Sequence, residues 1–155
     1  MIGYDSVNPK DIPGSAQVVF PYADGGFKWN VSDLARFPKA RRRFITVTAN
    51  ANVANIVDVE RGDASPSDAR QFVEERSRLF PGVIPTVYCN RSTADMVILA
   101  LRGLHWRLFL ATLDGSQPES YAGKPCGAVQ FRGGAGALYD ESVIFDTGWP
   151  RQAGD

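Results

Sequence analysis

Asp58 and Glu60 are separated by one residue and follow the apolar pair Ile56-Val57. If that segment is extended, residues i and i+2 point to the same side, with backbones about 6.6 Å apart. Two carboxyl groups on one face repel each other, and partial burial raises at least one pKa. The result is a protonated acid beside a carboxylate at neutral pH, the pair that glycosidic hydrolysis uses. Further acids stand at the ends of other apolar runs: Asp5, Asp24, Asp114, Asp140 and Asp146. Strand-end loops favour Asp as a turn former, so each also has a purely structural reading, strongest for Asp24 in Asp24-Gly25-Gly26.

Among the aromatic residues, Trp29 is a candidate platform for a sugar ring, with a hydrophobic staple for a helix beginning near Ser32 as its alternative. Tyr88 has a hydroxyl that would suit an N-acetyl group, or a ring that would suit the core. Trp106 and His105 read as structural. The stretch Gly133-Gly134-Ala135-Gly136 has neither a following helix nor a lysine, so it reads as a tight loop bordering a cleft rather than a phosphate loop. With one histidine and two distant cysteines, Cys89 and Cys126, no metal centre is expected. The cysteines read as buried thiols, with a single bridge between them left open. No cofactor motif is present.

Positioning acids from several strand ends at one place requires a particular scaffold. Apolar runs bounded by turn residues recur at about 2–4, 17–21, 43–48, 55–59, 84–88, 106–111, 127–131 and 142–145. Several are continuous rather than alternating, as in Phe44-Ile45-Thr46-Val47, which suits parallel strands covered on both faces. Helices fit between some of them. One is predicted from Pro66 to Phe80, capped by Ser65, with Pro66 at its first position and Ala69, Phe72, Val73 and Arg76 forming its buried stripe. A second is predicted over about 93–102, capped by Ser92 with Asp95 and buried nearly all round. A short third covers about 32–37 and stops at Pro38. Strands alternating with helices predict an α/β fold with a mostly parallel sheet. Eight strands point to an irregular barrel of the (β/α)₈ kind, but such barrels typically need about 250 residues. The chain has 155, so the later helices must be missing, in agreement with the Gly- and Pro-rich connections after Trp106. One domain over 1–150 and a tail over 151–155 are expected.

Composition narrows the function classes. Seventeen basic and 17 acidic residues give no net charge and no general attraction to nucleic acid or anionic membrane. The run Arg41-Arg42-Arg43 reads as a solvated strand entry. No apolar run approaches the roughly 20 residues that span a bilayer. The opening Met1-Ile2-Gly3-Tyr4-Asp5 lacks the basic and apolar regions of a signal peptide. Work outside a cell would therefore need release by a phage or export by another route.

In this setting the sequence resembles glycoside hydrolase family 25, the lysozymes of phage endolysins and bacterial muramidases. That family has an Asp ending its first strand, D-x-E ending the fourth, a late W-Q-Y and then a V-D-L-N segment. The corresponding residues here are Gly3-Tyr4-Asp5, Val57-Asp58-Val59-Glu60, Pro85-Thr86-Val87-Tyr88, Phe109-Leu110-Ala111, Val129-Gln130-Phe131 and Tyr139-Asp140-Glu141-Ser142. They keep the family's order over nearly the whole chain. The chain is shorter than typical members, with Phe109 and Val129 where tryptophan is usual and Leu113 where tyrosine is common. The resemblance implies five βα units followed by three strands, and cleavage of the β-1,4 bond between N-acetylmuramic acid and N-acetylglucosamine in peptidoglycan. It implies Glu60 as proton donor, Asp58 as the group that orients the N-acetyl group or stabilises positive charge, and Asp5 and Asp140 as residues tuning the pair. Tyr88, Trp29, Asp24, Gln130 and Asp114 are then the expected substrate-binding residues. The competing expectation is a carbohydrate-binding or structural relative, in a phage particle or cell envelope, that keeps the acids as polar ligands. A third is an α/β-barrel enzyme acting on another small substrate.

Overall fold

A computed structural model describes residues 1–146; the expected 151–155 tail lies outside them. Each of the eight apolar runs contains a strand. The strands are β1 (Ile2–Asp5), β2 (Val18–Val19), β3 (Arg41–Arg42), β4 (Ile45–Thr46), β5 (Ile56–Val59), β6 (Thr86–Asn90), β7 (Arg107–Ala111), β8 (Ser120–Tyr121), β9 (Lys124–Arg132) and β10 (Asp140–Ile144). The α-helices are α1 (Val31–Ala35), α2 (Pro66–Leu79) and α3 (Arg91–Ala100). Helix α2 begins as its sequence dictates. Ser65 and Asp68 form a reciprocal capping box, Pro66 occupies the first turn, and Ala69, Phe72, Val73 and Arg76 are buried.

All strands belong to one curled sheet ordered β3-β2-β1-β10-β9-β7-β6-β5-β4, with β8 hairpinned onto β9. Pairing is parallel from β1 to β3 and from β4 through β7 to β9. It is antiparallel around β10, which pairs with β1 and β9, and in the β8–β9 hairpin. The strands at the two ends of this order, β3 and β4, are halves of one segment. On one side the amides of Arg41, Arg43 and Ile45 donate to the carbonyls of Gln17, Val19 and Pro21, and on the other the carbonyl of Phe44 accepts from Ile56.

The α/β class is as expected, but the full helix complement is not. An α-helix follows β2, β5 and β6, and only a 3-10 turn (Pro9–Asp11) follows β1, so the five βα units are not formed. The short connections are stabilised by local caps instead. Helix α3 starts earlier than expected because Asn90, rather than Ser92, accepts from the first-turn amides of Ser92 and Thr93. It is also less buried than its apolar sequence implied, with Met96 and Leu99 54% and 63% exposed. A short helix lying on one face of a sheet can bury only a single stripe. Arg43 is buried rather than solvated, with its guanidinium donating to the carbonyl of Arg42. His105 is exposed, and Trp106 lies in the core. Cys89 and Cys126 are buried free thiols, with burial pushing them up to about 12 and about 11.

Strand alternation divides the buried residues between two faces. Val57, Val59, Leu108, Leu110 and Val129 face outward against Phe72, Val73 and Val97 of the helices. Phe20, Ile56, Phe109, Ala128 and Ile144 face inward and fill the hollow of the sheet. Fully burying one such side chain stabilises a fold by about 1.5–3 kcal/mol, so this inner layer is a firm floor. Gly3 is required by it, because a β-carbon there would overlap the ring of Phe20. Gly3→Ala should therefore destabilise the protein by about 1–3 kcal/mol, read as a lower midpoint in urea unfolding. An unchanged midpoint would mean that the floor is loosely packed.

Candidate active site

Inward-facing residues one step beyond this floor are polar. Asp5 ends β1, Asp58 lies in β5 and Tyr88 in β6, Gln130 lies in β9, and Asp140 opens the antiparallel β10. Because β10 runs against its neighbours, its first residue lies beside the last residue of β1, and Asp5 pairs with Asp140 in register. Asp58 is in register with Tyr88. The four acids of the expected site, Asp5, Asp58, Glu60 and Asp140, meet at one end of the sheet and act on one another electrostatically.

Their environments differ. Asp5 is almost completely buried. Burial first, and then the charge and hydrogen bond of Asp140, hold its carboxyl well above the usual range. Asp5 keeps the proton and donates it to Asp140, which also accepts from Gln130 and from the amide of Gly134. These bonds oppose the effect of burial, which leaves the Asp140 carboxyl raised. The loop is shaped to the carboxylate: Gly133 has φ 133°, and a β-carbon there would overlap the Asp140 side chain. Asp58 is 4% exposed and is pushed up to about 8, by burial first and then by Glu60 and Asp63. One oxygen of Asp5 and one of Asp58 are buried without a hydrogen-bond partner.

Glu60 lies just beyond the end of β5 and is half-buried. Burial raises its pKa, while a 3.1 Å hydrogen bond from the Asn90 amide opposes the rise. In the free molecule the more strongly held proton is therefore on Asp58 rather than on Glu60. Asp58, Glu60, Tyr22 and Asp63 border a cavity of about 270 Å³.

Three residues at this site gave no signal that was read from the sequence. Tyr22 faces all four acids, which together with burial keep its phenol neutral. Asn90 both caps α3 and holds Glu60; the run Asn90-Arg91-Ser92-Thr93 is itself a cap signature. Asp63 adds charge beside Asp58 and Glu60. Tyr88 is buried, edge-on to Phe109, with its phenol kept neutral by burial and the surrounding acids.

The other expected binding residues lie elsewhere or are engaged. Trp29 is 4% exposed, packs on Phe37 and donates its indole N–H to the carbonyl of Ser6. Its faces are not available to a sugar. Asp24 borders the cavity, but its oxygens accept from the Val47 amide and from the Thr46 and Thr48 hydroxyls, so it fixes the turn. Asp114 is exposed and pairs with Arg91 and Ser116. The Ser116 bonds and the arginine hold it below the usual carboxylate range, and it does not act on the central acids.

No family model, curated protein or solved structure matches this chain. Among the described residues, no group of three or more His, Cys, Asp or Glu side chains is arranged to hold a metal ion, and no helix is long and apolar enough to cross a membrane.

Buried acids that keep their protons make stability depend on pH. The folded state holds the Asp58 proton up to about pH 8, whereas an unfolded aspartate loses it near pH ~3.9. The stabilising contribution is complete below the lower value and is lost as pH rises through the upper one. Asp58→Asn should remove this loss, because the amide resembles the protonated acid and does not ionise in either state. It should be more stable than the parent protein at pH 8, by on the order of a few kcal/mol, with the advantage shrinking toward pH 5. Urea unfolding at both pH values measures it; an advantage that is equal at both would contradict the buried, protonated state of Asp58.

Proposed function

We propose that this protein is a glycoside hydrolase of lysozyme type, built on an irregular barrel and cleaving the β-1,4 bond between N-acetylmuramic acid and N-acetylglucosamine. The observation carrying this reading is the difference in environment between two neighbouring carboxyl groups at one cleft: Asp58 buried and raised to about 8, Glu60 half-buried and held by Asn90. Hydrolysis of a glycosidic bond needs one acid to protonate the leaving oxygen and one carboxylate to stabilise the positive charge that develops at the sugar.

Glu60 is the better placed of the two to reach a leaving oxygen, because it borders the opening while Asp58 lies deeper. A saccharide covering the cleft removes water from Glu60 and raises its proton affinity toward that of Asp58. Glu60 then delivers its proton, and the negative charge of Asp140, supported by the protonated Asp5, Gln130 and the Gly134 amide, stabilises the anomeric centre while Asp58 stays neutral. The neutral phenols of Tyr22 and Tyr88 are donors in a site otherwise made of acceptors, and they suit the carbonyl oxygen of an acetamido group. The partner is the peptidoglycan glycan strand, so the protein would act at the bacterial wall, reached by phage release or another export route. No cofactor enters this chemistry.

Glu60→Gln preserves shape but cannot deliver a proton, so hydrolysis should fall by roughly 10² to 10⁴-fold with little change in stability. For the parent protein, the rate of reducing-end release from purified peptidoglycan should form a bell. Its maximum is expected at about pH 5 to 7, and its alkaline limb should end at or below the value near 8 at which Asp58 ionises. Wild-type rates in Glu60→Gln would remove Glu60 from the mechanism. No release at any pH would make the protein a carbohydrate-binding relative that does not cleave.

A further inference from the structure

The cavity bordered by Asp58 and Glu60 is also lined by Val7, Tyr22, Phe27 and Val47, and none of its described lining residues is basic. Phe27 is 56% exposed and Val7 60% exposed, although water around a bare aromatic ring is unfavourable. The loop that carries Phe27 is pinned along its length. The Trp29 amide donates to the carbonyl of Tyr22 across 3.0 Å, closing the loop, and the Trp29 indole anchors it to Ser6. Asp24 ties its first turn to Val47, Thr46 and Thr48, and Gly25, at φ 74°, seats that turn directly against Val47. The ring of Phe27 inclines toward Tyr22, with centroids 6.3 Å apart. Asp58 lines the same cavity, and one of its oxygens is buried without a hydrogen-bond partner.

We infer that Phe27 is the stacking platform of the cleft, holding the apolar C–H face of an uncharged pyranose ring while hydroxyl and amide hydrogens on the ring's edge donate to the acids that line it. This assignment rests on the saccharide reading of the site and deepens it. A sugar ring has such an apolar face and a donor-rich edge, which match a cavity lined by both aromatic rings and carboxyl groups. An anionic ligand has no basic residue to meet here among the described lining residues. The pinned loop holds the ring in place before binding, so little conformational freedom is lost when the sugar arrives. Phe27 takes the position in function that Trp29, turned into the core, does not.

The test compares Phe27→Ala, Phe27→Trp and the distant exposed-surface control Leu99→Ala. KM and kcat are measured on soluble peptidoglycan fragments, and affinity for N-acetylglucosamine oligomers is measured in a Glu60→Gln background. Phe27→Ala should raise KM and weaken oligomer affinity about tenfold, the loss of one aromatic contact, with kcat within about twofold. Phe27→Trp should restore both, Leu99→Ala should match the parent, and thermal unfolding should be unchanged in all three. Unaltered KM and affinity in Phe27→Ala would overturn the platform while leaving hydrolysis by the acids intact. A parent protein that neither binds the oligomers nor cleaves the fragments would overturn the platform and the saccharide reading together.

Discussion

Four carboxyl groups gather at the end of one curled sheet, and water reaches them unequally. Like charges this close in a poorly solvated place cannot all ionise, because each ionisation makes the next more costly. The surrounding structure is arranged around that repulsion. Asp5 keeps its proton and gives it to Asp140 in a hydrogen bond, Gln130 and the Gly134 amide support the resulting carboxylate, and Asn90 supports Glu60. Among the described residues these supporting partners are neutral donors. The effect is to grade the acids in proton affinity instead of neutralising them.

The grading depends on burial, and burial depends on the hydrophobic floor. Phe20, Ile56, Phe109, Ala128 and Ile144 pack in the hollow of the sheet below the acids, and this apolar packing keeps water from their inner side. At the far side of the molecule, α2 and α3 cover the outward residues of β5, β6 and β7, leaving those strands buried on both faces. The antiparallel strand β10 completes the arrangement by turning its first residue, Asp140, toward the same end as the last residue of β1. A parallel strand in its place would present the other end of the run.

Much of this was legible in the sequence where periodicity governs. Asp58 and Glu60 follow an apolar strand with one residue between them, so the period of two places them on one side once Ile56 is known to face inward. Asp5 and Asp140 were legible as acids at the ends of apolar runs. The capping of α2 was legible because Ser65, Pro66 and Asp68 each act within one turn. Trp29 was not, because an aromatic after a glycine turn has the same local pattern whether its ring faces the cleft or the core; Ser6, distant in sequence, decides it. Tyr22 and Asp63 were missed for a similar reason, since their place beside the acids is set by how the sheet curls. The helix complement failed because a strand can be followed by a capped loop as readily as by a helix when the outer face is already short.

The desolvated mouth keeps protons that ordinary carboxyl groups lose well below neutrality. Carbon NMR of protein labelled at the Asp and Glu side-chain carboxyl carbons, titrated from about pH 3 to 9 across the ordinary carboxyl range and beyond, reads this directly. Most carboxyl signals should move at about pH 3 to 5, while Asp58 and Asp5, assigned by Asp58→Asn and Asp5→Asn, should remain protonated at pH 7. Every Asp and Glu signal completing its shift below about pH 5, as unperturbed groups do, would contradict it.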